Sequence, residues 1–209
     1  MKLVEMRIED YLTRLASDAP TPGGGAASAL AGAQGIALVA MVANLTVGRE
    51  KYAAHEALCK DVGARAEALL QKLTAQVDAD AGAYGRFAAA LRLPKETEEE
   101  KAARREAVSS AALYAAEVPL ETMRLGIAGL LCAKDILAGY NPSCATDIAC
   151  GAQELLGCVR SAWLNVAINL GSIADGAYAE RLRAEGARLC AEAEEMAAFV
   201  YGEIERLYR

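Results

Sequence analysis

The sequence predicts an all-α, single-domain bundle of about six to eight helices around an Ala/Gly-rich central helix, spanning residues 1–209. Three observations carry this. Alanine makes up about a fifth of the chain, far above ordinary usage, and it favours helix while filling little volume, so helices can approach closely. Aromatic residues are only 5% although 54% of the chain is apolar. No segment reads as a strand, an internal repeat or a disordered tail.

The elements follow in order. Ile8, Tyr11, Leu12 and Leu15 recur at three- and four-residue intervals, which marks a short amphipathic first helix ending at Ser17-Asp18-Ala19. The run Pro20-Thr21-Pro22-Gly23-Gly24-Gly25 then interrupts regular structure. From Ala26 to Val47 there is no ionisable side chain. That length would suit a membrane span, but the segment is mostly Ala and Gly, and alanine favours lipid only weakly. A central helix covered on all sides by others is expected, with no membrane. Charge returns at Gly48-Arg49-Glu50-Lys51-Tyr52, and a long helical stretch reaches about Leu91.

Leu93-Pro94-Lys95 breaks that stretch, and Thr97-Glu98-Glu99-Glu100 places acidic residues where a helix N-terminus favours them. This helix is expected to run toward Glu117, with Pro119 opening or kinking the next. Gly139-Tyr140-Asn141-Pro142-Ser143 reads as a loop. A charge-poor helix covers roughly 144–173, and a last one, charged on one face, covers 177–209.

A net charge of −6 excludes the clustered-cation footprint of a nucleic-acid binder. The six cysteines, at 59, 132, 144, 150, 158 and 190, contain no CxxC, and there is one histidine, so no metal is expected. Thiols serving as small core residues suit a reducing cytoplasm.

Four groups of residues could carry chemistry. The turn Pro22-Gly23-Gly24-Gly25 feeds a helix and is either a backbone N–H site for an anion or substrate oxygen, or a tight connection. Asp80 shares a helical face with Val77 and Tyr84, so it is either a functional carboxylate or a partnered structural one, whereas Asp78 points to solvent. Asp147 begins a nearly uncharged helix, where it acts or caps. Asn165 and Asn169, with Ser172, form a polar stripe that is a core network or a ligand lining. His55 reads as a solvated helix residue, and Arg49 and Lys51 as a surface face or the cations nearest a bound anion.

The joint order of these motifs is specific. Pro20-Thr21-Pro22-Gly23-Gly24-Gly25, then Met41-Val42-Ala43-Asn44-Leu45-Thr46-Val47-Gly48 leading to Lys51-Tyr52, resembles the cyclodeaminase/cyclohydrolase family of folate enzymes. Asp80-Ala81-Gly82-Ala83-Tyr84, Leu93-Pro94-Lys95, Ala116-Glu117-Val118-Pro119-Leu120 and Leu164-Asn165-Val166-Ala167-Ile168-Asn169 extend the resemblance over nearly the whole chain. Thr146-Asp147 stands where the family carries a Ser-Asp pair, and Arg49-Glu50 where it tends to carry lysines.

The resemblance implies a helical, cytoplasmic homodimer acting on the one-carbon bridge of tetrahydrofolate, with no metal or redox cofactor. One reaction is hydrolysis of 5,10-methenyl-tetrahydrofolate to the 10-formyl compound, which this stand-alone length favours. The other is ring closure of 5-formimino-tetrahydrofolate with loss of ammonia. On this reading Asp80 is the acid/base, Asp147 a second carboxylate or pterin anchor, and Gly23, Gly24, Gly25, Asn44, Lys51, Asn165 and Asn169 line the substrate. A competing class is a non-catalytic scaffold.

Overall fold

Small residues decide where the helices meet. The computed structural model describes residues 2–209. It has six α-helices: α1 (Ile8–Leu15), α2 (Gly24–Thr46), α3 (Glu56–Leu91), α4 (Glu98–Asp135), α5 (Ala145–Leu170) and α6 (Gly176–Glu205). Short 3-10 turns cover Leu3–Glu5, Glu50–His55, Ile136–Ala138, Pro142–Cys144 and Arg206–Tyr208, and no strand occurs among the described residues.

α2 is the central helix, as expected from its lack of charge. Its buried positions, from Gly25 and Ala26 to Ala43 and Thr46, fall on several faces, because α3, α4 and α5 all pack on it. A Cβ built on Gly35 would lie 2.7 Å from the Gly151 carbonyl oxygen, and the reverse contact is equally close. Backbones that near exclude any side chain at either position. Gly24 meets Asn165 at one end and Gly35 meets Gly151 further along, so α2 and α5 run antiparallel. The two buried hydroxyls of α2 return to their own helix: Ser28 Oγ donates to the Gly25 carbonyl and Thr46 Oγ1 to that of Val42. By length and composition α2 could cross a membrane, yet 56% of its most apolar window is buried within the protein.

Several expectations need correction. The N-terminal stripe is narrower than its spacing promises: Tyr11 is buried and Leu15 packs half-buried beside it, but Ile8 is 80% exposed and Leu12 54% exposed. A helix of eight residues lays only one turn against α2 and α3. Gly24 and Gly25 belong to the first turn of α2 rather than to the loop before it. Pro119 opens no new helix, since α4 is continuous through it. Asp78 is not free in solvent, because its Oδ1 accepts the Leu3 N–H at 2.6 Å and pins the N-terminal segment to α3. Cys59, Cys132, Cys144 and Cys158 are buried thiols, whereas Cys150 is exposed and Cys190 half-buried.

α4 begins as its sequence dictates. Thr97 Oγ1 accepts the Glu100 N–H while the Glu100 carboxylate accepts the Thr97 N–H, closing a reciprocal cap.

Candidate active site

α2 starts at a glycine N-cap that offers no side chain to its first-turn N–H groups. Asp80, arriving from α3, supplies the missing acceptor: its Oδ2 takes the Ala26 N–H at 2.9 Å. One donor at the positive end of α2 is therefore already taken by a carboxylate of the same chain. Gly25 is what lets Asp80 in. A Cβ there would stand 1.9 Å from Asp80 Oδ1 and 2.4 Å from its Cγ.

Burial raises the Asp80 pKa, and the Ala26 N–H offsets only part of that by favouring the charged form. Asp80 opens onto a cleft lined by Thr21, Gly23, Gly24 and Gly25 on one side and by Ala115, Asn165, Ile168, Asn169 and Ser172 on the other. Pro20, Ala83, Tyr84 and Phe87 complete it. Asp80 is the sole carboxylate among the described lining residues, and no Lys or Arg joins them.

The asparagines are oriented by the backbone. Asn165 donates its amide to the Ser161 carbonyl at 2.9 Å. Asn169 donates to Asn165 at 2.8 Å and to Ala115 at 3.2 Å. That last bond explains Pro119. Proline has no N–H, so the carbonyl four residues earlier, Ala115, lacks its helical donor, and the Asn169 amide fills the gap. Asn169 spends both of its N–H groups on carbonyls and Asn165 one of its two, and both side-chain oxygens stay open as acceptors for a ligand. Replacing Asn169 with Ala should cost about 1–3 kcal/mol by orphaning that carbonyl. Adding Pro119→Ala should recover most of it by restoring the backbone donor, as chemical denaturation of the single and double variants would report.

The predicted residues thus fall into two groups. Gly23, Gly24, Gly25, Asp80, Asn165 and Asn169 gather at one cleft; Pro22 is buried behind it. Asn44, Lys51 and Asp147 do not join them. Asn44 lies twenty residues along α2 from Gly24, roughly 30 Å at the helical rise, and Asp147 eighteen residues along α5 from Asn165, roughly 27 Å. Antiparallel packing puts both at the far end of the bundle. Asn44 faces Gly63 there, and Lys51 lies over the Tyr52 ring, 5.4 Å from its centroid. The pairing of Asp80 with Asp147 in one crevice is not made within a chain.

Phe87 and Ala115 were not anticipated. Phe87 was findable, since it continues the face of Asp80 and Tyr84 at i+7.

Comparisons with known proteins give the family. Residues 7–188 match the family model described as formiminotransferase-cyclodeaminase. The chain belongs to this family. It is 40% identical over 186 residues to a methenyltetrahydrofolate cyclohydrolase of Methylorubrum extorquens, covering 89% of each protein. It is 30% identical over 203 residues to the formimidoyltransferase-cyclodeaminase of Sus scrofa, and spans 38% of that longer protein's length. The solved structure of a formiminotetrahydrofolate cyclodeaminase from Thermotoga maritima superposes with a TM-score of 0.87 at 24% identity over 98% of both chains, so this family member shares its fold.

Proposed function

We propose that this protein hydrolyses 5,10-methenyl-tetrahydrofolate to 10-formyl-tetrahydrofolate, with Asp80 as the acid/base. The observation that carries the reading is a single half-buried carboxylate, in a cleft free of lining cations, backed by acceptor oxygens. The methenyl bridge is an amidinium cation, so a desolvated carboxylate beside it stabilises the charge. Water adds to the bridging carbon and Asp80 takes its proton. The bond to N5 then breaks as N5 gains a proton, the remaining hydroxyl proton is lost as the formyl carbonyl forms, and one proton leaves to solvent overall. The substrate carbon is already electrophilic, so no metal or redox cofactor is assigned to the step. Asn165 and Asn169 accept N–H donors of the pterin, and Gly23 and Gly24 allow it to approach the backbone.

The relative from Methylorubrum extorquens favours hydrolysis over ammonia release, since it covers nearly the full chain under the cyclohydrolase name. The deciding experiment offers both folates to purified protein. Loss of the methenyl absorbance supports the proposal, and ammonia release from the 5-formimino compound alone would replace it with the cyclodeaminase reaction.

The proposed enzyme is a cytoplasmic homodimer. Asn44, Lys51 and Asp147 can serve the same substrate as Asp80 only from a second copy. What supports that copy is the outer face of α2, where Gln34, Met41 and Leu45 are exposed around half-buried Leu38. An antiparallel pairing of two α2 helices about a two-fold axis would set the Asn44 end of one beside the Gly24 end of the other. Met41→Glu with Leu45→Glu should then convert dimer to monomer in sedimentation and abolish turnover, while the helical circular dichroism is kept.

A further inference from the structure

Tyr11 is 6% exposed, and its hydroxyl has no hydrogen-bond partner. A buried orphan hydroxyl is costly, and structures keep few of them. Its ring is packed among Ala26 and Ala29 of α2 and Val77 and Ala81 of α3. These residues bracket Asp80 and the N–H it accepts, so Tyr11 backs the carboxylate on the side away from the cleft. Ala26 occupies Asp80 Oδ2, and no hydrogen bond reaches Oδ1 among the described residues. An orphan donor and a free acceptor thus share one packed layer.

We propose that Tyr11 is a positioning residue for Asp80, its hydroxyl donating to Oδ1 whenever the carboxyl is ionised. The pairing rests on the acid/base reading of Asp80 for its catalytic meaning, though not for its existence. Two donors, Ala26 N–H and Tyr11 O–H, then hold the carboxylate plane and leave its remaining lone pairs for the proton of the attacking water. Burial and, secondarily, the Asp80 charge both raise the Tyr11 pKa, so the phenol stays a donor across the working range.

The other groups around Asp80 leave this role open. α2 has no ionisable side chain between residues 24 and 46, and α5 none between 161 and 170. On α3, Asp78 is held by Leu3 N–H, and Tyr84 stands 46% exposed at the cleft mouth. From α1 the remaining candidate is Arg14, whose Nε is bound to the Thr21 carbonyl at the rim. On α4, Glu117 is engaged by the Tyr178 hydroxyl.

The test is Tyr11→Phe, which keeps the ring and removes the donor. Asp80 is titrated by carbon NMR of carboxyl-labelled aspartate, with Asp80→Asn assigning the signal, and the rate on 5,10-methenyl-tetrahydrofolate is followed over the same pH range. The Asp80 pKa should rise by about one unit in Tyr11→Phe, because a donor to the charged form is lost. The acid limb of the rate profile should move up with it. A shifted titration with an unmoved rate profile would support the pairing and refute Asp80 as the catalytic acid/base. A titration that superimposes on the wild type, with Tyr11→Phe merely melting higher for loss of an idle hydroxyl, would overturn the proposal.

Discussion

Asp80→Asn leaves a folded protein whose turnover of 5,10-methenyl-tetrahydrofolate falls a hundredfold or more, the loss typical of removing a general acid/base. The fold survives because the carboxamide oxygen still accepts the Ala26 N–H that caps α2. Stability should even favour the variant at neutral pH. Burial raises the Asp80 pKa in the folded state, so the native protein holds this proton more tightly than the unfolded chain does. Below the ordinary carboxylate pKa both states are protonated and the group makes no difference. As pH rises from there through the folded pKa, the native state bears a growing cost for its buried charge. The melting temperature of Asp80→Asn relative to wild type should therefore climb over that interval and then level off. The same raised pKa places the acid limb of the wild-type rate profile above the usual carboxylate range. Wild-type activity in Asp80→Asn, or a lowered melting point matching lost activity, would reduce Asp80 to a structural cap.

How much of this was legible in the sequence depends on whether a feature is local. The charge-free run after Gly25 announced a central helix because burial forbids unpaired charge anywhere along it. Asp80 was visible because it interrupts the face of Val77 and Tyr84, and periodicity reports a face without knowing what it meets. The i, i+4 spacing of Asn165 and Asn169 likewise marked one wall of the cleft. Which residues meet across helices was not legible. Asp147 and Asn165 share α5, yet helix length and direction place them at opposite ends, and only the antiparallel packing of α2 on α5 shows which end faces Asp80. Pro119 was read as a break because an isolated helix would break there. A side chain 50 residues later, Asn169, supplies the missing donor, and nothing near Pro119 foretells it. Ile8 and Leu12 show the same limit from the other side, for their spacing promised burial that this short helix does not reach.

Gly25→Ala should be nearly as damaging to catalysis as losing Asp80, although it adds one methyl group. That methyl would fall 1.9 Å from Oδ1, 2.4 Å from Cγ and 2.8 Å from Oδ2 of Asp80. It collides with all three atoms, so turning the carboxyl about its own axis brings no relief. Either Asp80 swings away and abandons Ala26, or α2 withdraws from α3 and opens the layer holding Ala26, Ala29 and Val77. Displacing a catalytic group by about 1 Å can cost a hundredfold in rate, and overpacking of this kind costs about 1–3 kcal/mol in stability. Gly24→Ala is the internal control. Its methyl would sit 3.4 Å from Asn165 Nδ2, an ordinary contact, so the unfolding free energy should change little. The cause can be separated from general damage to α2 by removing the other partner. In an Asp80→Ala background the obstructing carboxyl is gone, so Gly25→Ala should lose its destabilising effect, a coupling read from the double-mutant cycle of unfolding free energies. Equal destabilisation by Gly25→Ala in both backgrounds would mean that something other than Asp80 fills that space, and the close seat of the carboxylate against the glycine turn would have to be abandoned.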